Sequence, residues 1–146
     1  MFLGPSSTGG TVLPRKSTVF PARKASGLTV RPSLLPGLNP WPDSVPGLTR
    51  LKTKFILATM SNGNVKLMVD MAKHGGLPWD MILGAEIAQS YKPDPETYLT
   101  GCRMLRLAPE ECMMVAAHNG DLLAARALGL RTAFIARPTE YGPEQT

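Results

Sequence analysis

Apolar residues fall in short clusters from about Pro42 onward, and two kinds of spacing alternate along the chain. Phe55-Ile56-Leu57-Ala58-Thr59-Met60 is a short apolar run, the pattern of a strand buried on both faces. Met81-Ile82-Leu83, Cys112-Met113-Met114-Val115-Ala116 and Thr132-Ala133-Phe134-Ile135 read the same way. Between them the apolar residues recur at helical spacing. Val45, Leu48 and Leu51 mark a short helix opened by Pro46. Val65, Leu67, Met68, Met71 and Ala72 mark a second, with Ser61-Asn62-Gly63-Asn64 as its capping turn and Gly75-Gly76 as its stop. Asp94 as N-cap and Pro95 at the first helical position open a third, whose apolar side is Tyr98, Leu99, Cys102, Met104, Leu105 and Leu107. Asp121 to Leu128 is a fourth, closed by Gly129. Strands alternating with helices predict an α/β layer structure with a mainly parallel sheet. Chemistry in such sheets collects at the carboxyl ends of the strands.

Residues 1–40 break the pattern. They hold six Pro, five Gly, five Ser and four Thr, and no periodicity survives more than a few residues. The expected division is a Pro/Gly/Ser-rich basic leader over 1–40, disordered or atypical, and a folded domain over 41–146. The leader's basic residues without acids are shared with organelle transit peptides, but amphipathic spacing is poor; a secretory signal is disfavoured because Gly4-Pro5 cuts the first apolar residues short.

The net charge of +5 comes entirely from Arg15, Lys16, Arg23, Lys24 and Arg31; residues 41–146 carry 11 basic and 11 acidic residues. A basic folded face for nucleic acid is therefore not expected. No apolar run approaches the roughly 18 residues of a membrane span. Two cysteines cannot make a disulfide framework, so a reducing, cytoplasmic setting is expected.

Three polar loops lie at predicted strand ends: Ser61-Asn62-Gly63, Lys92 with its neighbours, and His118-Asn119-Gly120-Asp121. With Pro40-Trp41-Pro42-Asp43, Val45-Pro46-Gly47-Leu48, Tyr91-Lys92-Pro93-Asp94-Pro95 and Val115 to Asp121, they resemble the later part of an L-2-haloacid dehalogenase, within the haloacid dehalogenase superfamily. The resemblance runs from about Leu38 to Thr146. It implies a Rossmann-like parallel sheet with flanking helices, and hydrolytic dehalogenation of 2-haloalkanoates. In that chemistry an aspartate carboxylate displaces halide and water then cleaves the aspartyl ester. Ser61 would match the second-motif hydroxyl and Asn62 the neighbouring amide that holds substrate. Lys92 would match the third-motif lysine, which keeps the attacking carboxylate ionised and oriented. Asp121 would match the fourth-motif acid that pairs with that lysine. His118 stands where many dehalogenases place an asparagine, and Asn119 follows it in the substrate-binding loop.

The departures carry equal weight. Superfamily phosphatases bind magnesium with two acids in the fourth motif, but the first position here is Ala117, so no metal and no cofactor are expected. The family nucleophile is an aspartate on the central strand near the amino terminus, yet the first acidic residue in this chain is Asp43. The helical cap domain is missing as well. The fold is thus expected to be incomplete and the chain inactive alone, because displacement needs a positioned nucleophile. A hole at the sheet's centre would leave backbone groups unpaired. The two flanking strands could pair directly, a leader segment such as Ser17-Thr18-Val19-Phe20 could fill the gap, or the chain could be marginal. Three functional readings stay open: a truncated dehalogenase-type chain, inactive alone, whose family acts on small 2-haloacids; a competent hydrolase that obtains its carboxylate from another chain or a rearranged site; and a non-catalytic binding or assembly module. A hydrolase of this type with another substrate class is a further alternative. A homodimer is left open.

Each candidate also has a plain structural reading. Ser61-Asn62-Gly63 could be only a turn, Lys92 a solvated lysine, and Asp121 a favourable charge at a helix start. His118 could be an ordinary loop histidine, and His74 suits a helix C-terminus. The methionines (Met60, Met68, Met71, Met81, Met104, Met113 and Met114) read as core filling, and Trp41 and Trp79 as packing anchors.

Overall fold

A computed structural model describes residues 1–5, 39–138 and 140. The element order is β1 (Phe2–Pro5), α1 (Ser44–Lys52), β2 (Phe55–Ala58), α2 (Val65–Gly75), α3 (Ala85–Ala88), α4 (Pro95–Leu105), a 3-10 turn (Pro109–Glu111), β3 (Met113–Ala116), α5 (Asn119–Ala127) and β4 (Arg131–Phe134). The four strands form one sheet in the order β2-β1-β3-β4. β3 and β4 are parallel, with Met113 opposite Arg131 and Ala116 opposite Phe134.

The predicted α/β architecture with flanking helices is present, and the gap at its centre is filled by β1. The filler is not the segment 17–20, which lies outside the described residues. β1 runs antiparallel to both neighbours, with Phe2 opposite Ala58 on one side and Met114 on the other. The sheet is therefore mixed rather than wholly parallel. The physical reason is backbone satisfaction: β2 and β3 each present a row of donors and acceptors, and an extended segment entering from either end can pair with both. Gly4 gives room there, because a Cβ at that position would push the end of the Leu107 side chain aside. Residues 2–5 thus belong to the folded domain, although they precede the boundary expected at 40/41.

Alternation along the strands builds two cores. Leu57 and Val115 point to one face, where they join Leu3 and Leu48 and pack against Leu51, Leu77 and Trp79. Ala58 and Met114 point to the other, joining Tyr98, Cys102, Leu122 and Ala125 of α4 and α5. Cys102 and Cys112 are free and buried in that second core. Met60 and Met114 fill core space as expected, but Met104 is largely exposed.

The helix ends follow the sequence signals. Asn64 caps α2 by accepting from the Leu67 N–H at 2.7 Å, and Gly76 ends it at φ 62°, a left-handed geometry that glycine adopts without strain. Asp94 caps α4 by accepting from Glu96 N–H at 2.8 Å, with Pro95 first in the helix. The strand expected at Met81-Ile82-Leu83 reduces to one parallel bridge, Ala58 to Met81. Backbone bonds continue from Thr59 N–H to Met81 C=O at 3.1 Å and from Ser61 N–H to Leu83 C=O at 3.3 Å, and the Thr59 hydroxyl adds to them, accepting from Leu83 N–H at 2.9 Å and donating to Leu83 C=O at 3.2 Å.

Candidate active site

The carboxyl ends of β2 and β3 and the start of α4 converge on Asp121, in the first turn of α5. Lys92 Nζ lies 2.5 Å from Asp121 Oδ2, with side chains 20% and 12% exposed. The Tyr98 hydroxyl donates to Asp121 Oδ1 at 2.7 Å. Each carboxylate oxygen thus accepts its own short bond, which fixes the plane of the group. Burial, then the Asp121 hydrogen bond and charge, push the Tyr98 phenol far above its ordinary range.

Asn62 reaches the same loop by another route. Its Oδ1 accepts from the Lys92 N–H at 2.6 Å and its Nδ2 donates to the Lys92 C=O at 3.2 Å. Ser61 instead folds back, its hydroxyl accepting from Gly63 N–H at 3.0 Å. Lys92, His118 and Asp121 line a cleft of about 570 Å3 whose apolar side includes Leu51, Leu77 and Trp79. At its rim the Arg137 guanidinium stacks on Trp41, 4.9 Å from the ring centroid, and pairs with Asp43 at 3.0 Å. His118 Nε2 sits 3.1 Å from Glu140 Oε1. The Met1 amino group, buried in the same wall, donates to Val115 C=O at 3.1 Å. Burial first and then the Lys92 charge push it down to about 5, against the pull of Asp121.

The structure therefore brings together Lys92, Asp121 and Asn62, and places His118 on the same cleft. Ser61 lines a separate small pocket with Met60, Thr97 and Gly101. Asn119 is exposed at the first position of α5 and does not line the cleft. Tyr98 is the member of this cluster that the sequence does not announce, since its spacing places it only on the apolar side of α4. A usable signal existed: a fully buried tyrosine needs a partner for its hydroxyl, and Tyr98 sits one turn beyond the Lys92 loop. Among the described residues no cluster of three or more His, Cys, Asp or Glu side chains could hold a metal ion.

Tyr98 gives a pH test. Its folded phenol keeps a proton that the unfolded chain releases near about pH 10. The stability it contributes is full below that pH and is lost as pH rises through the folded value. Urea unfolding of the native chain and Tyr98→Phe at pH 9 and pH 11 should show their stability difference shrinking at the higher pH. A constant difference would mean that burial and the Asp121 bond together do not hold the phenol protonated.

An α/β core with a lysine–carboxylate pair at its strand ends is the framework of a hydrolase of the haloacid dehalogenase type. The haloacid dehalogenase-like hydrolase family model matches residues 33–129, and the chain belongs to that family. It is 28% identical over 106 residues to hexitol phosphatase A of Escherichia coli (strain K12), covering 71% of this chain and 49% of that protein. It is 33% identical over 98 residues to the (S)-2-haloacid dehalogenase of Pseudomonas sp. (strain YL), covering 66% and 41%. The crystal structure of an L-2-haloacid dehalogenase superposes with a TM-score of 0.73 at 55% identity, covering 82% of this chain and 56% of that one. A defluorinating L-2-haloacid dehalogenase gives a TM-score of 0.72 at 58% identity, covering 74% and 44%. The chain spans about half the length of the curated relatives it matches.

Proposed function

We propose that these 146 residues carry the supporting half of a 2-haloacid dehalogenase site and do not turn over a 2-haloacid alone. The observation that carries the reading is the identity of the central strand. Between β2 and β3 lies the segment Phe2-Leu3-Gly4-Pro5, running opposite to both, and no Asp or Glu precedes Asp43. A carboxylate that attacks carbon must be aimed along the carbon–halogen axis at contact distance. In this reading Lys92 and Asp121 form the cation–carboxylate pair beside which such a group would sit. Of the four residues that the resemblance assigns to substrate loops, His118 lines the cleft itself, Asn62 holds the Lys92 loop, and Ser61 and Asn119 stand on the loops beside it.

The dehalogenase reading is favoured over a phosphatase by Ala117, which stands where the resemblance places the first magnesium-binding acid. A hard cation needs several oxygen ligands, and one carboxylate already engaged by Lys92 and Tyr98 is a poor start. The ligand of this reading is a small 2-haloacid, with neither nucleic acid nor membrane as a partner and a cytoplasmic location. No helix among the described residues is long and apolar enough to cross a membrane.

The test is halide release from L-2-chloropropionate at high protein concentration, followed by ion chromatography, with intact-mass measurement in parallel. The expected result is no halide above the buffer rate and no added propionate mass. Halide release that disappears in Lys92→Ala and Asp121→Ala would overturn the inactivity. Magnesium-dependent release of phosphate from p-nitrophenyl phosphate would move the chain to the phosphatase side of its family.

A further inference from the structure

Asn62 is fully committed to one neighbour, and that neighbour is the backbone of the lysine. The Lys92 N–H and C=O are the two groups that a neighbouring strand would pair with, yet Lys92 lies in the loop between α3 and α4. The Asn62 amide bonds both of them, at 2.6 and 3.2 Å, from a position 30 residues earlier in the chain. One side chain thereby imitates a strand partner across a single residue. The chemistry is specific to a short amide. Aspartate offers no donor to the carbonyl, serine cannot span both groups, and glutamine carries one methylene too many. The other end of Lys92 is held at Asp121, so main chain and ammonium are fixed from opposite sides.

We propose that Asn62 is a positioning residue that, through the Lys92 backbone, holds Lys92 in register with Asp121. The Ser61 hydroxyl keeps the Asn62 turn closed through Gly63. The end of β2 and the third-motif loop are in this way latched to each other. The proposal does not depend on turnover, so an inactive chain leaves it fully testable.

The experiment is competitive acetylation of lysines in the intact chain by an N-hydroxysuccinimide acetate reagent, read by peptide mass spectrometry. The exposed Lys73 serves as internal reference. In the native chain Lys92 should react far more slowly than Lys73. In Asn62→Ala and Asn62→Asp the Lys92 rate should rise about fivefold relative to Lys73, the change expected for losing hydrogen bonds of ordinary strength. Asn62→Gln should fall between. Ser61→Ala, which loosens the turn but leaves the amide in place, should shift Lys92 less than Asn62→Ala does. A Lys92 rate unchanged in folded Asn62→Ala and Asn62→Asp would overturn the proposal. A second measurement covers variants that do not fold: the Lys92 amide of the native chain should show hydrogen-exchange protection well above that of exposed Tyr91. Free exchange at Lys92 would equally overturn it.

Discussion

Lys92→Met should lower the unfolding free energy by about 2–4 kcal/mol, a large share of the stability of a domain this size. The estimate follows from what the substitution leaves behind. The Asp121 side chain is only 12% exposed, and without Lys92 it would keep one donor, the Tyr98 hydroxyl. Removing one member of a buried pair strands the other charge in a medium that solvates it poorly. The partial exposure of Lys92 places the cost below that of a fully enclosed pair. Methionine keeps most of the volume, so the loss is not a cavity effect. The double variant Lys92→Met/Asp121→Leu removes both charges and should recover at least half of the loss. Urea unfolding of the native chain, both single variants and the double closes the cycle and isolates the coupling. A loss under about 0.5 kcal/mol for Lys92→Met would show that water screens the pair as it does on an open surface.

The size of that effect bears on what the sequence could reveal. The pair itself was legible, because Lys92 and Asp121 each stand in a motif at a strand end and the resemblance couples them. Its strength was not, since Tyr98 enters through a tertiary contact between α4 and α5 across 23 residues. Asn62 was legible as a turn residue next to Ser61. Its actual partner, a backbone 30 residues away, is set by the docking of two loops and leaves no trace in local spacing. The same division holds for the fold. Asp94-Pro95 and Gly76 announced their helix ends because capping is local chemistry. The start of α5 did not, and Asn119 rather than Asp121 opens it because His118 caps the helix with no side-chain bond for a sequence reader to anticipate. The four-residue α3 is too short to show a period at all. The contact of Arg137 with Trp41 and Asp43 spans some 94 residues and is likewise invisible in one dimension.

β1 is the extreme case, and it yields the second large prediction. Leu3-Gly4-Pro5 opens a stretch rich in turn formers, and nothing local says strand. It becomes one because β2 lies opposite all four of its residues and β3 opposite Phe2 and Leu3, and because Leu3 drops into the core beside Leu57 and Val115. Leu3 is 7% exposed. Leu3→Ala should therefore cost about 3 kcal/mol, the usual range for a core leucine that leaves a cavity. Leu3→Asp should do far more, because a charge without a partner at that point opposes docking of the whole segment. Once β1 is lost, the inner edges of β2 and β3 stand open, and open edges recruit other chains. The expected outcome is a soluble but less stable Leu3→Ala protein and an aggregating Leu3→Asp protein, followed by thermal unfolding and size-exclusion chromatography. Phe134→Ala, at a side chain 55% exposed on the outer strand, serves as the comparison and should stay within about 0.5 kcal/mol of the native chain. If Leu3→Asp matches the native chain in both measurements, then β2 and β3 pair directly in solution, and the central place in the sheet is not β1's to hold.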